Sequence, residues 1–246
     1  MVNSLIIGGG RPGIGQATVS KYISEGRSVT ATIDVEYLEE AKNFMTENSQ
    51  VDWIEIDHAD TDAVIDSLSA IDSIDQAVVA EFYFYMENAN QFDVQKWNRS
   101  LAVNLTLPKL VGHYANNLWS TCRSVVYVTS TEAGTGSFGA HAYAATKAAT
   151  HNLVKSLTNS SGGRCRHNAL AAGWIGGVMD TDEVFNMSRS VTPLGRLGDP
   201  AEIADMAYML NSEAATFVAG ATIVADGGYT GVDTISKYEY SEEFKE

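Results

Sequence analysis

Close to the N-terminus, Ser4-Leu-Ile-Ile7 is followed directly by Gly8-Gly-Gly-Arg-Pro-Gly-Ile-Gly15. The apolar run predicts a short buried strand, and the residues after the glycines predict a helix over Ile14–Glu25. Glycines in such a turn allow a tight reversal and let backbone N–H groups at a helix N-terminus approach a diphosphate. Asp34 follows about 20 residues later, where an acidic partner for a ribose is expected. The stretch therefore favours a dinucleotide-binding turn over a glycine turn without a ligand.

The rest of the chain alternates between apolar β-rich segments and amphipathic segments. The predicted strands are Ser4–Ile7, Ser28–Ile33, Val51–Ile56, Gln76–Ala80, Ser124–Thr129, Arg166–Ala171 and Ala221–Val224. The predicted helices are Ile14–Glu25, Glu36–Glu47, Thr61–Ser69, Val94–Trp119, Ala142–Thr158 and Ala201–Asn211. Apolar strands separated by helices indicate a parallel sheet covered on both faces, with ligands at the carboxyl ends of the strands. We predict one doubly wound Rossmann-type α/β domain over residues 1–246, with a mostly parallel seven-stranded sheet and a polar tail over residues 231–246.

Charge and composition exclude several classes of function. The 246 residues carry 31 acidic against 16 basic side chains, a formal net charge of −15, so no basic surface for nucleic acid is expected. Between Asp34 and Asp75, thirteen acidic residues face one basic residue, Lys42. No apolar run is long enough for a membrane span, and the two cysteines have neither metal-ligand nor disulfide-framework spacing. We expect a cytoplasmic protein with two reduced thiols, no metal and no membrane partner.

A second motif is Tyr143-Ala-Ala-Thr-Lys147. Residues four apart share a helix face, so the phenol and the ammonium can converge. A nearby cation favours phenolate and lowers a tyrosine pKa from about 10 towards the range of a general acid/base. The spacing alone is weak evidence, but Ser130 lies thirteen residues earlier at the predicted end of a strand. An active-site hydroxyl belongs at that end of a strand.

In this order, the motifs make nearly the whole chain resemble the short-chain dehydrogenase/reductase family. The further landmarks are Asp57 after the third strand, Asn104 in Val103-Asn104-Leu105, Pro193-Leu194-Gly195-Arg196 and Asp226-Gly227-Gly228. The resemblance implies that Ser130 holds the substrate oxygen and that Tyr143 exchanges its proton. It also implies that Lys147 binds the nicotinamide ribose and lowers the Tyr143 pKa, and that Asn104 holds a water in the proton relay. Hydride transfer itself belongs to the cofactor.

The resemblance implies a nicotinamide cofactor, a small-molecule alcohol or ketone substrate and a homotetramer assembled through the two long helices. The implied cofactor contacts are Gly9, Arg11, Gly13, Ile14, Gly15, Asp34, Asp57, His58, Ala80, Tyr143, Lys147 and Ile175. A carboxylate after the second strand accepts from the ribose 2′-hydroxyl of NAD and repels the 2′-phosphate of NADP. Asp34 therefore favours NAD, although the flexible guanidinium of Arg11 could reach a phosphate. Residues 124–146 and 167–188 contain no Lys or Arg, which favours a neutral substrate.

Three positions depart from the family pattern. Gly8 stands where Thr is usual, Val79-Ala80-Glu81-Phe82 replaces Asn-Asn-Ala-Gly, and Ala172-Gly173 replaces Pro-Gly. The second departure places bulky Phe82 where a glycine lets the backbone approach the cofactor. The run Phe82-Tyr83-Phe84-Tyr85-Met86 is open to two interpretations, a wall of the substrate pocket or part of a core or subunit interface.

Pro108 lies inside a predicted helix, four residues after Asn104. A proline lacks the N–H that would bond the carbonyl four residues back, so the Asn104 carbonyl is released. That carbonyl would then be available to the relay water, and a packing kink is the equally weighted alternative.

Other function classes remain open at this point. A halohydrin-type lyase on the same scaffold is expected to carry Arg in place of Lys147, and a nucleotide-sensing protein needs no catalytic set. The glycine turn, Lys147 and the Ser130–Tyr143–Lys147 set favour an oxidoreductase over both. A structural or nucleic-acid-binding role has no supporting feature.

Overall fold

The computed structural model describes residues 2–177 and 181–243, and seven of its segments pair into one parallel sheet. The strands are β1 Asn3–Ile7, β2 Ser28–Asp34, β3 Asp52–Ile56, β4 Gln76–Val79, β5 Ser124–Ser130, β6 Arg166–Ala172 and β7 Thr222–Ala225. They lie in the order β3-β2-β1-β4-β5-β6-β7, and every pair is parallel. The predicted doubly wound, seven-stranded Rossmann-type fold is confirmed.

Helices cover both faces of the sheet. They are α1 Ile14–Ser24, α2 Leu38–Glu47, α3 Thr61–Ser69, α4 Val94–Leu101, α5 Leu107–Asn117, α6 Glu132–Thr135, α7 His141–Ser160, α8 Asp182–Val191, α9 Pro200–Asn211 and α10 Thr234–Glu243. Consecutive residues of β1 belong to opposite cores: Leu5 and Ile7 pack on one face, and Ile6 packs on the other. Because both faces are covered, the central strands are mostly apolar.

The strand order positions the functional site. It reverses between β1 and β4, which lie side by side although β2 and β3 separate them in sequence. The glycine turn follows β1, and the Glu81–Phe82 departure follows β4, so these two segments meet at the carboxyl edge of the sheet. This is the place where doubly wound sheets bind their ligands.

Several helical segments differ from expectation. The predicted helix Val94–Trp119 is interrupted by a π-helical turn, Ala102–Thr106, between α4 and α5. The helix α6 was not predicted because its four residues are too few to show an apolar periodicity, and the helix α8 was missed as well.

The predicted polar tail contains the helix α10, and residues 244–246 lie outside the described residues. Asp233 begins this helix by accepting from the N–H groups of Ile235 and Ser236. A helix that begins with such a cap need not show an apolar pattern in its sequence. For this reason the sequence predicted a polar tail where the structure has a helix. None of the described helices combines the length and hydropathy needed to cross a membrane.

Candidate active site

The glycine turn presents uncapped amides at the start of α1. Gly13 is the N-cap residue with φ 91°, in the region that favours glycine, and no side chain caps the helix. A Cβ on Gly15 would lie 2.1 Å from the carbonyl oxygen of Gly8, so only glycine fits there. The first amides of an uncapped helix attract an anion, and the turn therefore fits a diphosphate.

The structure brings Ser130, Tyr143 and Lys147 together at the carboxyl end of β5. Ser130 is the last residue of that strand, and α7 carries the other two side chains one turn apart. The Lys147 Nζ lies 5.6 Å from the centre of the Tyr143 ring and donates to the Val128 carbonyl at 3.1 Å. The predicted convergence of the phenol and the ammonium is therefore present.

The pKa of Tyr143 differs from the sequence-based expectation. Burial raises the pKa of Tyr143 to about 12, and the hydroxyl of Ser130 acts in the lowering direction. Burial lowers the pKa of Lys147 to about 7, against the attraction of the Glu81 carboxylate. Burial disfavours both the phenolate of Tyr143 and the ammonium of Lys147. This effect outweighs the expected lowering of the Tyr143 pKa by the Lys147 charge.

Aromatic rings enclose Tyr143. The Phe84 ring centre lies 5.3 Å from that of Tyr143 and the Phe82 ring centre lies 6.3 Å from it, both edge to face. Of the two interpretations of the aromatic run, the contacts of Phe82 and Phe84 favour a wall of the reaction site. Tyr83 and Tyr85 instead pair with each other, with ring centres 5.7 Å apart.

Asn104 clamps the segment after β4. Its side-chain Oδ1 accepts from the Tyr83 N–H at 2.8 Å, and its Nδ2 donates to the Tyr83 carbonyl at 2.8 Å. Its backbone carbonyl lies in the π-helical turn and accepts from the Thr150 hydroxyl at 3.2 Å. Pro108 follows this turn, as expected for a residue that cannot donate to the Asn104 carbonyl. The relay water remains a prediction.

Arg11 reaches across the sheet edge to the segment after β4. One guanidinium nitrogen, Nη1, lies 2.6 Å from Oε1 of Glu81 and also donates to the Phe82 carbonyl. The guanidinium is stacked between the Phe82 ring, 3.7 Å away, and the Tyr37 ring, 4.3 Å away. The sequence predicted a flexible Arg11 side chain, but these contacts hold it in one position.

Two of the departures from the family pattern are in direct contact. A Cβ on Gly8 would lie 2.8 Å from the Cα of Glu81, and Gly8 has φ +78°. A threonine at this position would overlap the backbone of Glu81 and strain its own. The close approach of the backbone at residue 81 and the positive φ together require glycine at position 8.

His58 lies between two carboxylates beneath this edge and is 2 % exposed. Its Nδ1 is 3.3 Å from Asp34 Oδ2 and 3.2 Å from Glu81 Oε2, and its Nε2 is 2.7 Å from the Thr32 hydroxyl. Burial disfavours the imidazolium, but the attraction of the Asp34 and Glu81 carboxylates outweighs this effect and raises the pKa of His58 to about 9. His58 thus links the ends of β2 and β4 beneath the carboxyl edge of the sheet. Sequence reasoning missed Glu81 and Thr32 as its partners.

Asp34 is less available than the ribose rule implies. Its Oδ1 accepts from the Glu36 N–H and its Oδ2 accepts from the His58 N–H, each at 3.0 Å, and the residue is 2 % exposed. Burial opposes ionisation, but the nearby His58 side chain and the hydrogen bonds from the two backbone N–H groups outweigh it and lower the pKa of Asp34 to about 2. The neighbouring Glu36 has a side chain that is 55 % exposed.

A cavity of about 370 Å³, here named the edge cavity, lies at this corner. Its lining residues come from the ends of β2 and β3, the segment after β4, and α4: Asp34, Val35, Glu36, Asp57, Tyr83 and Arg99. Arg99 is the cation of this set, with Nη2 3.0 Å from Glu36 Oε2 and Nη1 3.4 Å from Asp57 Oδ1. The volume and the polar lining fit an adenosine.

The remaining predicted cofactor residues extend the site along the sheet edge. Ala80 continues β4, with its N–H donating to the Ile7 carbonyl at 2.9 Å. Ile175 lies beyond β6 and forms a bridge with Gly198. Ala80, Ile175, the glycine turn and the edge cavity lie along one edge of the sheet. Together they fit a dinucleotide bound in an extended conformation. Among the described residues, no group of three or more His, Cys, Asp or Glu is placed to hold a metal ion.

Comparisons with known proteins agree with this geometry. A family model described as Enoyl-(Acyl carrier protein) reductase matches residues 9–230. Cis-4-hydroxycyclohexanecarboxylate dehydrogenase from Sinomonas cyclohexanicum is 30% identical over 244 residues, covering 92% of this chain and 96% of that protein. Galactitol 2-dehydrogenase (L-tagatose-forming) from Cereibacter sphaeroides is 42% identical over 97 residues, covering 37% of this chain and 38% of that protein.

Solved structures show the same arrangement of elements. The structure of BdcA in complex with NADPH has a TM-score of 0.84 and 26% identity, covering 92% of this chain and 93% of that chain. A short-chain dehydrogenase/reductase from Serratia marcescens BCRC 10948 has a TM-score of 0.81 and 25% identity, covering 93% of this chain and 98% of that chain. With the family match over most of its length, the chain belongs to the short-chain dehydrogenase/reductase family of oxidoreductases.

Proposed function

We propose that the protein interconverts a small secondary alcohol and the corresponding ketone, with NAD as its cofactor. The observation that carries this proposal is the placement of Tyr143 and Lys147 on one face of α7 beside Ser130, next to an uncapped glycine turn. A relative whose name describes a hydroxycyclohexanecarboxylate dehydrogenase, similar over 92% of this chain, supports the same reaction class.

In this proposal each side chain has a separate task. Ser130 donates to the substrate oxygen, and Tyr143 gives or takes the proton on that oxygen. Lys147 holds the ribose next to Tyr143, and Asn104 holds the relay water that leads to solvent. The amides of the glycine turn bind the diphosphate, while Asp57, His58, Ala80 and Ile175 line the groove around the dinucleotide. The bound nicotinamide supplies the hydride acceptor or donor.

The aromatic enclosure also has a role. Phe82 and Phe84 flank the Tyr143 ring and contribute to its burial, and burial is the physical cause of its raised pKa. A phenol that stays protonated over the neutral range is a proton donor ready for ketone reduction. The test is a panel of secondary alcohols and ketones, with reduced-nicotinamide absorbance followed for each cofactor. Absence of turnover across the panel, with dinucleotide still bound, would instead favour a sensor.

The cofactor preference is expected to be NAD over NADP by roughly tenfold or more in kcat/KM. Three carboxylates line the edge cavity, those of Asp34, Glu36 and Asp57, against the single guanidinium of Arg99. Because Asp34 is occupied internally, we assign the contact with the ribose 2′-hydroxyl to Glu36. The solved structure of BdcA, which has a similar fold, holds NADPH. The ratio of kcat/KM with NAD to that with NADP therefore tests the proposed preference.

Glu36→Gln removes the charge and keeps the length, so it should reduce the preference by weakening repulsion of the 2′-phosphate. Glu39→Gln, a neighbouring exposed carboxylate outside the cavity lining, is the matched control. A wild-type ratio that favours NADP would overturn the assignment.

We also propose a homotetramer built on the α4–α5 and α7 helices, as the family resemblance implies. Small residues on α7, among them Ala145, Ala148 and Ala149, permit close approach of a second copy. Light scattering should give four times the mass of one chain across a wide concentration range, and a constant single-chain mass would contradict the proposal.

A further inference from the structure

A second cavity, here named the C-terminal cavity, has a volume of about 550 Å³ and is formed by residues of α6, α8 and the last part of the chain that the structure describes. Its lining residues are hydroxyl-bearing or aliphatic, with one cation: Thr135, Ser190, Val191, Tyr229, Thr230, Val232, Thr234, Lys237 and Tyr238. Within the described part of the chain, this lining contains no carboxylate. In a protein of net charge −15, such a lining is unusual and contrasts with the acidic edge cavity.

The cavity is close to the reaction site along the chain. Thr135 is the last residue of α6, the helix that begins two residues after Ser130, and its hydroxyl lies 3.3 Å from the Thr131 carbonyl. Thr131 follows Ser130 directly in the chain, so this contact places one wall of the cavity beside the segment that carries Ser130.

Lys237 comes from α10 and lies against the end of α8. Its Nζ donates to the Ser190 carbonyl, which uses one of the three ammonium donors. Arg189, the residue before Ser190, stacks on Phe185 at 4.7 Å and adds positive charge to this end of α8. The ammonium is therefore held at the cavity with donors left for a ligand.

The carboxylates near Lys237 in the sequence are absent from the cavity lining, and two of them accept hydrogen bonds within their own turns. Asp233 accepts from the Ser236 hydroxyl at 2.8 Å and from two amides at the start of α10. Asp226 accepts from the Gly228 amide and from both the amide and the hydroxyl of Thr230. Glu239 lies two residues after Lys237 on α10 and is absent from the lining.

We propose that the C-terminal cavity binds a carboxylate carried by the substrate, with Lys237 as the residue that determines this specificity. The substrate class is then a hydroxy acid and its keto acid, with several carbons between the carboxylate and the reacting carbon. This inference rests on the proposed function. The sequence-based preference for a neutral substrate came from residues 124–146 and 167–188, and Lys237 lies outside both stretches.

The first test measures binding by calorimetry, in the presence and in the absence of NADH, with cyclohexanecarboxylate and cyclohexanecarboxamide as probes. We expect the carboxylate to bind about tenfold more tightly than the amide, and Lys237→Met to remove that difference. Lys237→Arg should retain it. Lys42→Met removes an equal charge from a lysine whose side chain is 71 % exposed on α2, and it should change neither affinity. Equal affinity of the wild type for both probes, or no measurable binding, overturns the proposal.

The second test compares turnover of 4-hydroxycyclohexanecarboxylate with that of its methyl ester. Lys237→Met should raise KM for the acid about tenfold with little change in kcat, and should leave the ester unaffected. Turnover of both compounds with equal KM would refute the carboxylate site and leave the proposed oxidoreductase intact. Carboxylate binding that depends on Lys237, with no turnover of any alcohol, would refute the oxidoreductase and leave the site.

Discussion

Replacement of Tyr143 by Phe is expected to lower turnover by at least ~10²–10⁴ while dinucleotide binding stays nearly intact. The change keeps the ring, so the edge-to-face contacts with Phe82 and Phe84 persist. It removes the hydroxyl that Ser130 stabilises, and with it the proton that the reaction exchanges. Single-turnover kinetics measure the chemical step, and quenching of intrinsic fluorescence measures cofactor binding.

The matched control for this variant is Tyr85→Phe, which removes a phenol from the same aromatic run. Tyr85 pairs with Tyr83 rather than with Tyr143, so turnover should be close to that of the wild type. If Tyr143→Phe retained half of the wild-type rate with chemistry rate-limiting, Tyr143 would not be the acid/base. Loss of cofactor binding in the same variant would instead indicate a disturbed site.

Replacement of Arg11 by Ala is expected to destabilise the fold by at most about 3–5 kcal/mol, the usual effect of removing one member of a buried ion pair, because the His58 imidazolium stays 3.2 Å from Glu81. The Glu81 side chain is 1 % exposed and that of Arg11 is 14 % exposed, so water cannot replace the guanidinium. The double variant Arg11→Ala/Glu81→Ala removes both charges and should recover most of the loss. Urea unfolding curves provide the measurement.

Arg196→Ala is the control for this comparison. Arg196 pairs with Glu202 at 2.7 Å, but the two side chains are 48 % and 49 % exposed, so the loss should be at most about 1 kcal/mol. A double variant less stable than Arg11→Ala would show that Glu81 does not depend on Arg11 for its burial.

The pH dependence of the same unfolding curves has a defined sign. The folded pKa of His58 is raised from 6.5 to about 9, so its contribution is complete below about 6.5 and is lost as pH rises through 9. The folded pKa of Asp34 is lowered from 3.8 to about 2, so its contribution is present above about 3.8 and is lost as pH falls through 2. Together they favour maximal stability between about pH 4 and 6.5.

Sequence patterns were sufficient for the fold and for the reacting side chains. Each predicted strand overlaps an observed one, because runs such as Leu5-Ile6-Ile7 serve two cores at once. Tyr143 and Lys147 were found because a four-residue spacing places side chains on one helix face. These signals are local, so they can be read without knowing what packs against them.

The surroundings of these side chains were decided by tertiary structure. Arg11 and Glu81 are 70 residues apart, and no local pattern relates them. Parallel pairing of β1 with β4 brings the two together, and this contact holds Arg11 in place. The same packing encloses Tyr143 and raises its pKa, where spacing alone predicted a lower one.

The sequence by itself therefore determined the succession of the seven strands, the glycine turn, and the set Ser130, Tyr143 and Lys147. Only the tertiary structure decided that Asp34 is occupied internally while Glu36 faces the edge cavity, and that α10 brings Lys237 to the C-terminal cavity. The physical reason is that periodicity and spacing report which face of an element a residue lies on. Charge pairing and burial depend on elements that are distant in sequence and meet only in the folded chain.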